Sequence, residues 1–369
     1  MTEVEGISLK EKLGAGSFGL VRRGVMQGTG EEVAVKLEAR PVRRPLLERE
    51  AEILRLLQAC EYVPRIYSNG VSDSYSFLAM QLLGSSLSQK LRVCGGHLSP
   101  ATVLHCSVQM LAALKFLHSL NYVHRDVKPQ NFLLGTKTCK RKVFLIDFGL
   151  TRKCQDTGIF RSSEGQLTGT LPYMSINIHL GLSASPRDDL ESLAYVLIYL
   201  LRGALPWHHP EKQLLSEKAT RSSKQRVDVM QLCKGLPVEF EMLLRYAKGL
   251  RSDDHINYTA LEQKLKSACC RTSIDPSLDW EESSKNRKKS KRRKSQASSH
   301  HPIDLPTQCL SYSPPHCSLS PSLRLSSAPV RPMLVHEKTE ERLFVGFSPG
   351  ARASILRKSR ELQSSPKYL

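Results

Sequence analysis

"HRDVKPQN", residues 124–131, decides the fold once its neighbours are counted. Taken alone it is a polar string. Asp126, Pro129 and Asn131 are ordinary turn-forming types, and eight such residues carry no chemistry by themselves. Upstream, "TVLHCSVQMLAALKFLHSL" (102–120) repeats apolar residues every three or four positions and predicts a helix to about Leu120. Sixteen residues after Asn131, the apolar strand "KVFLIDFGL" (142–150) reaches Asp147, Phe148 and Gly149. The string is therefore a loop between a helix and a strand, with acidic residues at Asp126 and Asp147.

The residues before it add a second group of signals. "SLKEKLGAGSFGLVRRGV" (8–25) sets Gly14, Gly16 and Gly19 in a G-x-G-x-x-G pattern between two strand-like segments. Glycines there let backbone N–H groups approach phosphate oxygens with no Cβ in the way. No helix follows, which argues against a dinucleotide-binding turn. In "EEVAVKLE" (31–38), alternation puts Val33, Val35 and Leu37 on one strand face and Ala34 and Lys36 on the other. "RPLLEREAEILRLLQ" (44–58) has helical spacing, with Leu46, Ile53 and Leu57 on one stripe. A turn of about 100° per residue brings Glu50 into that stripe and sends Glu48 and Glu52 away from it. A carboxylate on a buried face needs a partner, and Lys36 on the preceding strand is the natural one. "SYSFLAMQLLG" (74–84) reads as a strand running into a short connection.

A glycine loop, a strand lysine, a helix glutamate, HRD-x-x-x-x-N and DFG, in that order, resemble the eukaryotic protein kinases over residues 8–280. The resemblance implies a bilobal α+β fold, with a small β-rich N-lobe at about 8–83 and a mainly helical C-lobe at about 84–282. It also implies ATP and Mg2+ as cofactors and transfer to Ser or Thr. Asp126 then takes the role of base toward the substrate hydroxyl, and Lys128 neutralises charge on the transferring phosphoryl. Asn131 and Asp147 supply hard oxygen ligands to the metal. Lys36, held by Glu50, fixes the α- and β-phosphates. The nucleotide site implied comprises Leu13, Gly14, Ala15, Gly16, Ser17, Phe18, Gly19, Val21, Ala34, Met80, Leu82, Leu83 and Leu133.

Within the family, the chain resembles the casein kinase 1 group. Where most kinases carry Ala-Pro-Glu it has Ser175, Ile176 and Asn177, within "LTGTLPYMSINIHLG" (167–181). "SPRDDLESLAYVLIYLLRGALPW", "LCKGLPVEF" and "LRSDDHINY" continue the match, with Asp189 opening a long buried helix and Arg251 matching the arginine of the last helical region. "MQLLG", "CKRKVFLIDFGL" and "PSLDWEE" are also similar to the tau-tubulin kinases of the same group. The resemblance implies monomers acting on acidic or phospho-primed proteins without activation-loop phosphorylation, with Thr170 bridging toward the catalytic loop. Two departures stand out: Gln130 replaces the usual Asp, and Pro172 replaces an arginine of the substrate anion site. Arg161 remains there, and Arg152, Lys153 and Arg187 are the further cations expected nearby.

Composition adds the frame. The 369 residues, 40% hydrophobic and 24% charged, fit a soluble globular protein. The longest apolar run, LAYVLIYLL (193–201), is about half a membrane span, so no membrane partner is expected. The N-terminus shows no signal peptide, and ten scattered cysteines without a C-x-x-C pair suggest a reducing compartment, cytoplasmic or nuclear. Residues 283–369 hold 17 Lys/Arg against 5 Asp/Glu, together with 18 serines, and so contribute +12 of the net +19. That composition predicts a disordered tail beyond about 282. Two other readings follow from the same residues. One is a pseudokinase scaffold, although Lys36, Asp126 and Asp147 are all retained. The other is polyanion or nucleic-acid binding through "KNRKKSKRRK" (285–294), which lacks aromatic interleaving and a nucleic-acid fold and is not expected to be the main activity.

Overall fold

The computed structural model describes residues 3–16, 19–40, 46–154, 167–272 and 277–281. Its first part is a six-stranded antiparallel sheet. In chain order the strands are β1 (Glu3–Val4), β2 (Ile7–Gly16), β3 (Gly19–Met26), β4 (Glu32–Ala39), β5 (Ile66–Val71) and β6 (Tyr75–Gln81), arranged β1-β2-β3-β4-β6-β5. Helix α1 (Leu46–Leu56) lies between β4 and β5 in sequence and packs against β6. The alternation of β4 works as its sequence predicts. Val33, Val35 and Leu37 enter a small core with Val4, Ile7, Leu9, Phe77 and Ala79, which leaves the opposite face for Ala34 and Lys36. On α1, Glu50 is buried with Leu47, Ala51, Ile53 and Leu54, whereas Glu52 is exposed.

From Leu87 onward the chain is mainly helical. Its helices are α2 (Leu87–Val93), α3 (Pro100–Ser119), α4 (Ile176–His179), α5 (Pro186–Arg202), α6 (Glu217–Arg226), α7 (Val229–Cys233), α8 (Val238–Gly249) and α9 (Tyr258–Thr272). Short strand pairs fill the gap after α3: β7 (Tyr122–Val123) with β10 (Arg152–Lys153), and β8 (Phe132–Leu134) with β9 (Val143–Leu145). Helix α5 is buried from Asp188 through Leu201, because α3, α8 and neighbouring elements cover it on every side. Helix α3 corrects one sequence expectation: at 20 residues it is long and apolar enough to cross a membrane by length and composition. Here it packs against α5 and α9, with Leu104, Met110, Leu111 and Leu114 fully buried.

The described chain ends on a strap. Leu278 and Trp280 are buried, and the Asp279 carboxylate accepts from the Ser99 N–H at 2.7 Å, just before α3. This curled sheet over a helical lobe is the bilobal kinase fold expected from the motifs. The tail expected beyond 282 lies outside the described residues, as do Ser17, Phe18 and Arg161.

Candidate active site

The site forms where the sheet meets the helical lobe, and Lys36 is its hub. Strand register pairs Lys36 with Val21 and Leu78, and Ala34 with Met80, so Val21, Ala34, Lys36 and Met80 share one face. The Lys36 ammonium lies 2.6 Å from Glu50 Oε2 and 3.0 Å from Asp147 Oδ1. Three residues spread over 111 positions of sequence thus converge on one cation. Burial works against the charge on Lys36, yet Glu50 and Asp147 hold its pKa above the ordinary lysine value. Burial likewise opposes ionisation of Asp147, and Lys36 still keeps that carboxyl below the usual range. Asp147 adopts φ 68°, a left-handed conformation that costs a non-glycine residue energy and commonly marks a functional site.

Val21, Ala34, Met80, Leu82, Leu83 and Leu133 are each half-buried, unlike the closed cores beside them. Leu133 sits between buried Phe132 and Leu134 and therefore faces the other way. Gly84 donates to the Leu134 carbonyl at 2.7 Å, which ties the connection after β6 to β8. These residues are thus partly exposed apolar positions, with Val21, Ala34 and Met80 on the sheet face that carries Lys36. Leu13 is exposed at the end of the glycine hairpin formed by β2 and β3. At Gly19, φ is +123° and a Cβ would fall 2.1 Å from the Leu37 carbonyl oxygen, so only glycine lets β3 lie this close to β4.

The loop 124–131 is fixed from three directions. Its backbone hangs on Asp189, whose carboxylate accepts from the N–H groups of His124 at 2.7 Å and Arg125 at 2.9 Å. His118 Nε2 lies 2.8 Å from the same carboxylate. Burial opposes that charge, and His118 with the loop N–H groups keeps Asp189 below its ordinary pKa. His124 in turn takes the Asp126 N–H on Nδ1 and donates from Nε2 to the Ile146 carbonyl at 3.1 Å, joining the loop to the residue just before Asp147. Asp126 itself accepts from Lys128 Nζ and, at 2.6 Å, from the Thr170 hydroxyl. Asn131 donates from its amide nitrogen to the Asp126 carbonyl at 2.9 Å.

Gly169, beside Thr170, has φ +113°, and a Cβ there would lie 2.5 Å from the Arg125 carbonyl oxygen. Ser175 Oγ and Asn177 Nδ2 both donate to Asp188 Oδ1, at 2.8 and 3.1 Å, and the Ile176 N–H donates to Glu191. The Ser-Ile-Asn triplet therefore anchors its segment to the first turns of α5.

Two residues named for the anion site have contacts of their own. Pro172 is buried, and its carbonyl accepts from Trp207 Nε1 at 2.8 Å, so the position does not face solvent. Arg187 donates to the Leu250 carbonyl. Arg152 and Lys153 lie on β10, paired with Val123 and Tyr122 just ahead of the loop. Sequence reasoning missed His118, His124 and Trp207 as holders of the site. The signals that could have found them were the place of His118 on the buried side of α3, of His124 at the head of the loop motif, and of Trp207 at the end of the matched stretch after α5.

The donor set suits a hard divalent cation. Asp147 Oδ2 and Asn131 Oδ1 accept no hydrogen bond among the described residues, and both are oxygens of the kind such an ion takes alongside phosphate. Residues 7–316 match the family model described as "Protein kinase domain".

Proposed function

The chain belongs to the protein kinase family, and from that premise we propose that it is an active serine/threonine kinase of the casein kinase 1 group. As a protein kinase domain it calls for ATP and a divalent metal; we assign Mg2+, held by Asp147 and Asn131. When bound, the ion supplies positive charge to the β- and γ-phosphates. The rest of the work falls to the chain. Lys36, kept charged and immobile by Glu50, binds the α- and β-phosphates. The half-buried face of Val21, Ala34, Met80 and Leu133 receives the adenine, with Leu82 and Leu83 at its edge.

Asp126 orients the incoming Ser or Thr hydroxyl and accepts its proton as the oxygen bonds to the γ-phosphorus of ATP, while the bond from that phosphorus to the β–γ bridging oxygen breaks and ADP leaves. Asp126 Oδ2 already accepts from Lys128 and Asn131, whereas Oδ1, bonded to Thr170, retains a lone pair for that proton. Lys128 faces the phosphoryl in flight and offsets the charge that builds on it. The observation that carries this reading is the double contact of Lys36 with Glu50 and Asp147. In protein kinases the lysine–glutamate pair and the metal-binding aspartate must both be in place for transfer.

The Ser175-Ile176-Asn177 anchor supports the group assignment, and the net positive charge supports acidic or primed protein substrates. Because Pro172 carries no guanidinium, preference for primed substrates should be weaker than in relatives that carry arginine there. We further propose a monomeric kinase domain of 8–282, a basic Ser/Pro-rich tail of 283–369, and residence in cytoplasm or nucleus with 285–294 as an import signal. The test of activity is transfer from labelled ATP to casein by the wild type and by Asp126→Asn. The wild type should label casein, and the variant should lose about 10²-fold or more. Absence of transfer by the wild type would favour a pseudokinase scaffold.

A further inference from the structure

Helix α6 reads EKATRSSKQR, a sequence with no apolar stripe, yet Lys224 near its end is 0% exposed. A buried ammonium ordinarily takes a carboxylate partner. Lys224 instead donates to the Leu171 carbonyl at 2.9 Å and the Met174 carbonyl at 2.6 Å, and lies 3.2 Å from His179 Nε2. Those three acceptors match the three N–H donors of an ammonium. Its charge also lies 5.2 Å from the Tyr195 ring centre and 5.4 Å from that of Trp207, within cation–π range.

His179 must accept on Nε2, so its proton sits on Nδ1, which faces Glu217 Oε1 at 3.3 Å. Burial and the neighbouring lysine push the His179 pKa down to about 4, which keeps the ring neutral and able to accept.

These contacts act on one short segment. Leu171 and Met174 are held through their carbonyls by Lys224, and Pro172 between them is held by Trp207. The segment begins directly after Thr170, whose hydroxyl is bonded to Asp126. Its back is thus fixed by α6 and Trp207, and its leading edge by the catalytic loop.

We propose that Lys224 is a positioning residue for the protein substrate: by holding the carbonyls of Leu171 and Met174 it fixes the segment over which a polypeptide must lie to bring its hydroxyl to Asp126. The proposal rests on the reading of Asp126 as the base. It differs from that reading in its consequence, because loosening this segment should weaken peptide binding and leave the nucleotide site alone.

The test compares Lys224→Met, Lys224→Arg and Trp207→Phe in the full chain. Lys224→Met keeps bulk and removes all three donors, and its KM for a peptide substrate should rise about tenfold to a hundredfold, as expected for loss of charge-assisted hydrogen bonds. The KM for ATP should stay within about twofold, and Lys224→Arg should recover part of the loss. Trp207→Phe, which removes the N–H to Pro172 and leaves a smaller ring beside Lys224, should raise peptide KM by about threefold to tenfold and gives a second reading of the anchor should Lys224→Met fail to fold.

A pH profile gives a readout that a purely structural role would not move. Burial brings Lys224 down to about 7, with Glu191 opposing; His179 and Arg221 add to the local field, and Glu217 and Tyr195 face the same cluster. Peptide KM should therefore rise above that pH in the wild type and stay flat in Lys224→Arg. Hydrogen exchange at the amides of Tyr173 and Met174 reads the anchor without catalysis, and should accelerate in Lys224→Met while α5 stays protected. Unchanged exchange, or peptide and ATP KM moving together, would overturn the proposal. A wild type that transfers no phosphate but shows the exchange effect would overturn the activity and leave the anchor standing.

Discussion

Lys36 and Lys224 are the two buried lysines among the described residues, and the protein holds them in opposite ways. Lys36 stands between two carboxylates, Glu50 and Asp147, and keeps its charge more firmly than a lysine in water. Lys224 stands among two carbonyls, a neutral imidazole and two aromatic rings, and burial draws its pKa down to about 7. Ionic partners hold the proton on a buried lysine, and neutral dipoles at equal distance hold it less well. The first arrangement suits a group that must be cationic whenever nucleotide arrives. The second suits a group whose task is to shape backbone.

The largest expected effect comes from breaking the ionic side of this comparison. Lys36→Met should reduce transfer to casein by about 10²-fold or more, since it removes the charge aimed at the phosphates. It should also destabilise the fold by about 3–5 kcal/mol, the usual result of deleting one member of a buried pair, because Glu50 and Asp147 then face each other with nothing between them. The double variant Lys36→Met/Glu50→Gln should regain much of that stability and none of the activity, as urea denaturation and a transfer assay would register. Recovery of activity in the double variant would mean that Lys36 acts only as a structural counter-ion.

The contrast also explains what could be read from the sequence. Alternation in 33–37 placed Lys36 opposite an apolar face, and helical periodicity placed Glu50 on a buried stripe, so their meeting followed from two local patterns. The loop at 124–131 and Asp147 were legible by spacing. Lys224 was not, because what buries it is remote: Tyr195 on α5, Trp207, and a turn some fifty residues upstream. Pro172 was legible as a missing arginine but not as a buried residue. Its burial comes from Tyr173 and Met174 beside it entering the core and from the grip of Trp207 on its carbonyl, none of which has a local signature.

A smaller effect separates the two lysines by pH. The folded-state pKa of Lys36 is raised, so its contribution to stability is complete below the unfolded value of 10.5 and lost only as pH climbs through the folded one. That of Lys224 is depressed, so its contribution is complete above 10.5 and lost as pH falls toward about 7. Between pH 10 and 7 the wild type should therefore lose stability relative to Lys224→Met, by at most about 1.4 kcal/mol per pH unit. Against Lys36→Met the difference should be flat over the same window. Denaturation midpoints across that range decide the matter. A flat curve for both would mean that the carbonyls of Leu171 and Met174 hold the ammonium as firmly as carboxylates do.

The smallest effect tests whether burial, rather than ion pairing as such, makes the Lys36 site. Glu48 and Glu50 lie two residues apart on α1, and each pairs with a cation from the strand side: Glu48 with Arg40, Glu50 with Lys36. The Glu50 side chain is 4% exposed and the Glu48 side chain 38%. In water the Arg40 pair gains little, because solvent already satisfies both charges and two long side chains lose freedom to meet. Glu48→Gln should thus cost no more than about 0.2–1 kcal/mol and leave transfer to casein within about twofold. Glu50→Gln keeps the same shape but removes a charge that solvent cannot replace. Asp147 is then the carboxylate left beside Lys36 among the described residues, the one that the metal also needs, and activity should fall about ten- to a hundredfold. The measurement is a transfer assay on both variants beside their melting curves. Equal losses would show that the pairing on α1 matters as a row of charges, whereas a large loss confined to Glu50 places the control in the buried stripe that the helical period predicts.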